Sequence, residues 1–134
     1  MVSSLLALVF VKKREFHGKK EADFACVITV YKEVDIAWPL VRSLLAQNYS
    51  NFHIYMIADE VGMVQSPIFH KRFHFFQPES ALNSKVASID YVLKRMGSMH
   101  THVVIVDPDS LVPSHFLSAL DRFHSAGFPV VQGR

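Results

Sequence analysis

The sequence has few of the residues that build unusual architectures. It contains one cysteine, Cys26, with five glycines and six prolines among 134 residues. A single cysteine excludes an intramolecular disulfide and a zinc site made of several cysteines, and it is typical of a reducing compartment such as the cytoplasm. So few glycines and prolines exclude a collagen-like or low-complexity chain. Half of the residues are hydrophobic, and this length predicts one domain.

Charge of either sign is also scarce, and what there is lies unevenly. The formal net charge is +2 at pH 7. The positive excess lies in residues 1–20, which hold Lys12, Lys13, Arg14, Lys19 and Lys20 against Glu15. A nucleic-acid binder needs its positive charge spread over a folded face, so the pattern argues against a nucleic-acid partner.

Residues 1–20 form a leader, followed by a predicted domain over 21–134. The leader is an apolar run, 1–11, followed by a basic cluster, 12–14. A secretory signal has the opposite order, and the run is shorter than the ~20 residues that cross a bilayer as a helix. Three interpretations remain: a membrane-surface anchor, the end of a spanning helix that starts outside this chain, or a strand or helix packed on the domain. The first two predict a protein at the cytoplasmic face of a membrane.

Short apolar runs and helical patterns alternate after Gly18. The predicted strands are 24–30, 52–58, 72–76, 102–106 and 128–131, and the predicted helices are 34–47, 84–96 and 113–125. The first strand is an uninterrupted apolar run, which is typical of a strand buried on both faces of a parallel sheet. The alternation predicts the α/β class, with a mostly parallel sheet and helices on both faces.

Acidic side chains follow three of these strands. Glu33 comes after the first, Asp59 after the second, and Asp107 and Asp109 after the fourth. Chemistry in such sheets sits beyond the carboxyl ends of the strands, so these residues are expected at one edge. Two carboxylates two residues apart point to one side where the backbone stays extended, and such a pair can bind Mg²⁺ together with phosphate oxygens. Lys85 opens a helix whose amino end also favours a phosphate, so the edge is expected to bind a diphosphate.

With these residues the chain resembles the nucleotide-sugar half of the family-2 glycosyltransferases, which have a GT-A fold. The similar segments come in the family's order: TVYKE at 29–33, Asp59, SKVASIDY at 84–91, DPD at 107–109 and GFPVVQGR at 127–134, with the leucine-rich SLLAQNY at 43–49. Lys32 stands where the family more often has Asn, and Pro108 where a small residue is usual. The resemblance implies a Rossmann-like GT-A half-domain that binds the sugar donor.

The resemblance also implies which residues bind the nucleotide. Thr29, Tyr31 and Glu33 match the loop that lines the nucleoside pocket of the family. Asp59 matches the carboxylate that hydrogen-bonds the base, usually uracil. Lys85 matches the basic residue near the donor. A UDP-sugar is therefore the expected donor.

For the metal and the reaction, the resemblance implies an inverting glycosyl transfer that depends on Mg²⁺ or Mn²⁺. Asp107 and Asp109 match the D-x-D pair, with Asp109 the direct metal ligand and Asp107 near the ribose or the metal. The acceptor is expected to be a saccharide or a lipid-linked molecule. In the family, the general base comes from the half that follows the strand ending near Gln132, so the catalytic base is expected beyond Arg134 and the chain is interpreted as a donor-binding fragment.

Other interpretations of these residues stay open. The chain can be a nucleotide-binding or membrane-peripheral module without turnover, or a haloacid-dehalogenase-type phosphatase, in which the D-x-D pair normally closes the first strand. The pair Asp107 and Asp109 can simply cap a turn, and Asp59 can belong to a solvated loop. Cys26 is interpreted as an inert core thiol.

Two histidine pairs have spacings seen in zinc sites. They are His70 with His74 and His100 with His102. Both pairs lie at or near predicted strands and have no third ligand in the pattern, which argues against zinc.

Overall fold

The computed structural model describes residues 7–11, 21–97, 99–125 and 130–133. The strands are β1 Ala7–Val11, β2 Phe24–Tyr31, β3 Phe52–Asp59, β4 Phe73–Phe76, β5 His102–Val106 and β6 Val130–Gly133. The helices are α1 Trp38–Leu45, preceded by a 3-10 turn at Asp35–Ala37, then α2 Lys85–Arg95 and α3 Phe116–Ser125. All strands join one sheet in the order β4-β3-β2-β5-β1-β6.

The centre of the sheet is parallel. Strand β2 pairs in parallel with β3 and with β5, and β3 pairs in parallel with β4. Tyr31 lies opposite Asp59, and Ile28 lies opposite Val106, so the carboxyl ends of these strands meet at one edge. The predicted α/β class with a mostly parallel sheet is confirmed, and the predicted strands and helices from 24 to 125 agree with the observed ones to within a few residues.

Both faces of β2 are covered, which explains its uninterrupted apolar sequence. Cys26 and Ile28 face a core that contains residues of α1 and α3, whereas Ala25 and Val27 face a second core that contains Val92 of α2. Alternate residues of a strand point to opposite faces, so a strand between two helical layers has no polar side. Burial raises the pKa of the Cys26 thiol, which keeps the thiol protonated and agrees with an inert core residue.

Part of the leader belongs to the sheet. Ala7–Val11 pairs antiparallel with β5 on one side and with β6 on the other. This is the arrangement expected if the apolar run packs on the domain. The basic cluster 12–14 lies outside the described residues, so a membrane anchor stays a prediction. No helix in the described part of the chain is long and apolar enough to cross a bilayer.

A cluster of histidines lies near the amino ends of the parallel strands. His53 Nδ1 is 3.0 Å from His74 Nε2. His100 is fully buried, and its Nδ1 is 2.7 Å from Asp23 Oδ1 while its Nε2 is 2.6 Å from Tyr55 Oη. Because an ionised carboxylate only accepts hydrogen bonds, His100 donates to Asp23 through Nδ1. The three histidines come from β3, from β4 and from the segment before β5.

The histidine pairs with zinc-like spacing have other partners. His74 contacts His53 rather than His70, and His70 Nδ1 accepts a hydrogen bond from the backbone of Arg72. His102 contacts the Thr101 hydroxyl. Over the described ranges, no three His, Cys, Asp or Glu side chains are placed to hold a metal ion.

The His53 and His74 pair predicts a fold that loses stability in mild acid. Desolvation, and after it the charge of neighbouring histidines, lowers the pKa of both imidazoles. Each therefore binds its proton more weakly when folded than when unfolded, so the free energy of unfolding is expected to fall as pH drops below the unfolded value of about 6.5. Urea unfolding measured between about pH 7.5 and 5.5 tests this.

The variant His74→Phe keeps a ring stacked on Tyr55 and removes one titrating group. Its unfolding is expected to take up fewer protons in this pH range than that of the native chain, because His74 no longer contributes. The matched control is His115→Phe, at an exposed position, which is expected to leave the pH dependence unchanged. Parallel stability curves for the native chain and His74→Phe would contradict the prediction.

Candidate functional site

A cleft of about 470 Å³ lies at the carboxyl ends of β2 and β3, beside the start of α2. Thr29, Tyr31, Asp59 and Lys85 line it. The sheet register brings them together, because Tyr31 and Asp59 are opposite each other on neighbouring strands. The structure thus gathers four of the residues that the sequence singled out.

Asp59 is the anchor of this cleft. Its side chain is buried, and the residue is only 2% exposed. The carboxylate accepts hydrogen bonds from the backbone N–H of Asn83 at 2.8 Å and from that of Leu82 at 3.1 Å to both oxygens. Its backbone oxygen accepts a further one from the N–H of Lys32 at 2.9 Å. Asp59 is therefore not part of a solvated loop, and that interpretation is wrong.

These contacts leave room for a ligand. An ionised carboxylate offers about four acceptor positions, and the contacts to Leu82 and Asn83 occupy three of them. One acceptor position remains for a donor group such as the imide N–H of a base. Asp59 can hold the loop and bind a ligand at the same time.

The backbone around the cleft is unusual. Within the described ranges, the non-glycine residues with positive φ are Lys32 at 67°, Glu60 at 54° and Asn83 at 53°. Lys32 follows Tyr31, Glu60 follows Asp59, and Asn83 lines the cleft. Asn adopts this region readily, whereas for Lys and Glu it costs roughly 1 kcal/mol. Local strain of this kind concentrates at binding and catalytic sites, which supports a functional cleft.

The start of α2 forms one wall of the cleft. Ser84 caps the helix, because its hydroxyl accepts a hydrogen bond from the backbone N–H of Ala87 at 3.2 Å. Asn83, Ser84 and Ser88 also line the cleft, and none of them was among the predicted site residues. A serine directly before an apolar helical pattern is an N-cap signal, and it would have identified Ser84. The positive end of the helix dipole faces the cleft and favours an anion there.

Lys85 and Asp107 form an ion pair at this wall. Lys85 Nζ is 3.1 Å from Asp107 Oδ1, and the two side chains are 54% and 30% exposed. A pair this exposed to water contributes at most about 1 kcal/mol. Lys85 can therefore leave Asp107 for a bound phosphate at low cost, and this movement would free the Asp107 carboxylate.

The D-x-D segment forms a turn. The N–H of Ser110 donates a hydrogen bond to the backbone oxygen of Asp107 at 3.1 Å. Pro108 contributes to the cleft wall, whereas Asp109 is exposed and is not among the residues lining the cleft. The extended backbone that would point both carboxylates to one side does not form, because proline readily takes the second position of a turn.

Of the two predicted site residues in the loop after β2, Tyr31 lines the cleft and Glu33 does not. Glu33 is exposed. Tyr31 is about half exposed, and its hydroxyl oxygen lies 3.4 Å from Asn83 Oδ1. A hydrogen bond with Glu60, followed by slight desolvation and the charges of Glu60 and Asp59, raises the pKa of Tyr31. The phenol stays protonated at neutral pH and offers a flat ring to a ligand.

Comparison with known proteins gives a structural similarity and no sequence match. No protein-family model matches the chain, and no curated protein matches it. The fold is similar to that of Staphylococcus aureus TarS 1–349, a glycosyltransferase, with a TM-score of 0.61 and 16% sequence identity, covering 78% of this chain. The same TarS segment in complex with UDP gives a TM-score of 0.61 and 14% identity. The chain spans 32% of the length of these TarS chains. At such low identity the similarity shows a shared fold, and the predicted Rossmann-like GT-A half-domain is confirmed.

Removing the Asp59 carboxylate is expected to destabilise the fold. Asp59→Ala leaves the N–H groups of Leu82 and Asn83 without their acceptor, which costs about 2–4 kcal/mol of the free energy of unfolding. Urea unfolding measures the change. Glu79→Ala, at an exposed position in the preceding loop, is the control and should stay within about 0.5 kcal/mol of the native chain. An equally small effect of Asp59→Ala would show that the carboxylate does not anchor the loop.

Relieving backbone strain at Lys32 is expected to stabilise the chain. Lys32→Asn should raise the free energy of unfolding by about 0.5–1 kcal/mol, because Asn tolerates positive φ better than Lys. The same substitution in a helix, Lys94→Asn, is the control and should lower it, because Asn is a poorer helix former. Thermal and urea unfolding give both values. A loss of stability in Lys32→Asn would contradict the assigned strain.

Proposed function

We propose that the chain binds the nucleotide diphosphate of a UDP-sugar and is the donor-binding part of a family-2-like inverting glycosyltransferase. The observation that carries the proposal is the cleft itself. It combines the buried carboxylate of Asp59 with the amino end of α2 and the Lys85 ammonium. The known crystal structure of TarS with UDP supports a nucleotide as the ligand of this fold.

Two groups of lining residues suit the two parts of the ligand. Thr29, Tyr31 and Asp59 offer a hydroxyl, an aromatic ring and an acceptor, which suit a uracil base and its ribose. Ser84 and Lys85 offer a hydroxyl at a helix amino end and a cation, which suit a diphosphate. The cleft volume of about 470 Å³ falls within the ~300–1,000 Å³ range of small-molecule sites.

A divalent cation fits the carboxylates only together with the ligand. Asp107 and Asp109 are two carboxylates, and the described residues place no third His, Cys, Asp or Glu side chain with them. Mg²⁺ commonly binds through one or two carboxylates and completes its coordination with substrate phosphates and water. The turn leaves Asp109 exposed and outside the cleft lining, so the assignment of Asp107 and Asp109 to a Mg²⁺ or Mn²⁺ that binds with the diphosphate rests on the family resemblance and requires the turn to rearrange when the ligand binds. Such an ion would neutralise charge on the departing diphosphate.

The ion pair of Lys85 with Asp107 gives the site two forms. Without ligand, Lys85 neutralises Asp107 at 3.1 Å. With the diphosphate and the cation bound, Lys85 would turn to a phosphate and Asp107 to the metal. Each charged group thus has a partner in both forms, so the exchange requires little free energy.

The acceptor and the membrane belong to the same proposal. The acceptor class, a saccharide or a lipid-linked molecule, rests on the family resemblance. Ala7–Val11 is a strand of the sheet, so the proposed attachment to the cytoplasmic face of a membrane rests on the basic cluster 12–14 and on the apolar residues that precede Ala7 in the sequence. Release of UDP that depends on an added acceptor would separate a transferase from a module that only binds nucleotide.

Isothermal titration with UDP tests the central step. The chain is expected to bind UDP in the presence of Mg²⁺ or Mn²⁺, and a chelator should weaken the affinity at least about tenfold, because the carboxylates then repel the diphosphate. Asp109→Asn should weaken binding only when metal is present. Lys85→Gln should weaken it with or without metal.

The matched control is Asp90→Asn, which removes the same charge on the exposed side of α2 and should leave the affinity unchanged. Equal UDP affinity with and without chelator would overturn the metal assignment. No UDP binding by the native chain under either condition would overturn the proposed function.

A further inference from the structure

A second cleft, of about 300 Å³, lies at the amino ends of β2, β3 and β4. It is at the opposite edge of the sheet from the nucleotide cleft, and the proposed function does not use it. Its lining includes Asp23, His53, Lys71 and Arg72, together with the buried Phe52. Two cations beside a partly buried imidazole are the side chains that bind a phosphate group.

Backbone hydrogen bonds hold the segment that carries Lys71 and Arg72 in place. The N–H of Phe73 donates to the backbone oxygen of His70 at 3.0 Å, which closes a turn around Lys71 and Arg72. The backbone oxygen of Arg72 accepts a hydrogen bond from the N–H of Ile54 on β3 at 2.7 Å. The guanidinium carbon of Arg72 also lies 5.2 Å from the centre of the Phe52 ring. This places Arg72 at the cleft with little conformational freedom to lose on binding.

The charges at the cleft favour an anion. Across the described part of the chain, no carboxylate lies within ion-pair distance of Lys71 or Arg72. The carboxylate in the lining, Asp23, is 2.7 Å from His100 Nδ1 and faces that imidazole. With His53 neutral, Lys71, Arg72 and Asp23 leave one net positive charge at the cleft.

His53 can add a second positive charge. Its Nδ1 contacts His74, and its Nε2 has no hydrogen-bond partner among the described residues. Burial, the neighbouring His74 and His100, and Arg72 lower the pKa of His53, while Asp23 opposes them. An anion in the cleft would act in the same direction as Asp23, so binding and proton uptake favour each other.

We propose that this second cleft binds a phosphate monoester group through Lys71 and Arg72, and that His53 takes up a proton when the group binds. Arg72 can donate two parallel hydrogen bonds to such a group, and Lys71 adds a point charge. The group can belong to a soluble phosphate ester or to a lipid headgroup, because both present the same oxygens. This site is independent of the nucleotide cleft.

Titration of the full chain with sodium sulfate, followed by NMR of backbone amides, tests the site. Sulfate keeps its two charges through mild acid, so any pH dependence comes from the protein. Saturable shift changes are expected at residues 50–53 and 70–74. The double variant Lys71→Gln/Arg72→Gln should lower the affinity at least about tenfold, because it removes both cations that form charge-assisted hydrogen bonds with the anion.

The matched control is Lys94→Gln/Arg95→Gln, which removes a neighbouring lysine and arginine from the exposed side of α2 and should leave sulfate affinity at the cleft unchanged. Absence of saturable shifts at the cleft, or equal losses in the two double variants, would overturn the site. This outcome is independent of UDP binding, which reports on the other edge of the sheet.

The proton uptake is tested on the native chain by following the imidazole signal of His53 against pH. Saturating sulfate is expected to raise the pKa of His53, and an unchanged pKa would overturn proton uptake. Glycerol phosphate and vesicles containing phosphatidic acid then distinguish a soluble ester from a lipid headgroup. Binding of either probe should be lost in Lys71→Gln/Arg72→Gln, and binding that survives in this variant would contradict the proposed contacts.

Discussion

The buried Asp59 carboxylate is the constraint on which the cleft at the carboxyl ends of β2 and β3 depends. Asp59 lies at the end of β3, and its carboxylate accepts hydrogen bonds from the backbone N–H groups of Leu82 and Asn83. Its backbone oxygen accepts a hydrogen bond from the N–H of Lys32. Three chain segments that are distant in sequence therefore meet at one residue. A buried carboxylate without such donors would be costly, so the loops and the carboxylate stabilise one another. The hydrogen bonds from Leu82 and Asn83 to Asp59 hold the start of α2, including Lys85, beside the strands.

The parallel sheet gives its two edges different chemistry. Because β2, β3 and β5 run in one direction, their carboxyl ends meet at the edge that holds Asp59 and the amino end of α2. Their amino ends meet at the other edge, near His53 and His100. The first edge has carboxylates, so in our proposal a cation binds there together with a diphosphate, whereas the second edge has the cations Lys71 and Arg72. The two proposed sites are therefore separated by the length of the parallel strands.

Much of the architecture could be predicted because the signals are local. The uninterrupted apolar run of β2 predicted burial on both faces, and the alternation of strands with amphipathic helices predicted the α/β class. The rule that ligands bind beyond the carboxyl ends of parallel strands placed Asp59 and Lys85 at one edge, and the family resemblance added Thr29 and Tyr31. They line one cleft. The usual family residue at position 32, Asn, also agrees with a backbone of positive φ, which Asn adopts readily.

The sequence by itself determined the order and type of the elements, since periodicity and burial are properties of short segments. Only the tertiary structure decided that Asp107 pairs with Lys85, that the D-x-D segment turns and leaves Asp109 exposed, and that His53 meets His74. It also showed Ala7–Val11 as a strand between β5 and β6. These features depend on strand order, on register and on where each loop reaches the sheet. Contacts between side chains 21 or 22 residues apart form only when the whole sheet has placed them, so no local pattern encodes them.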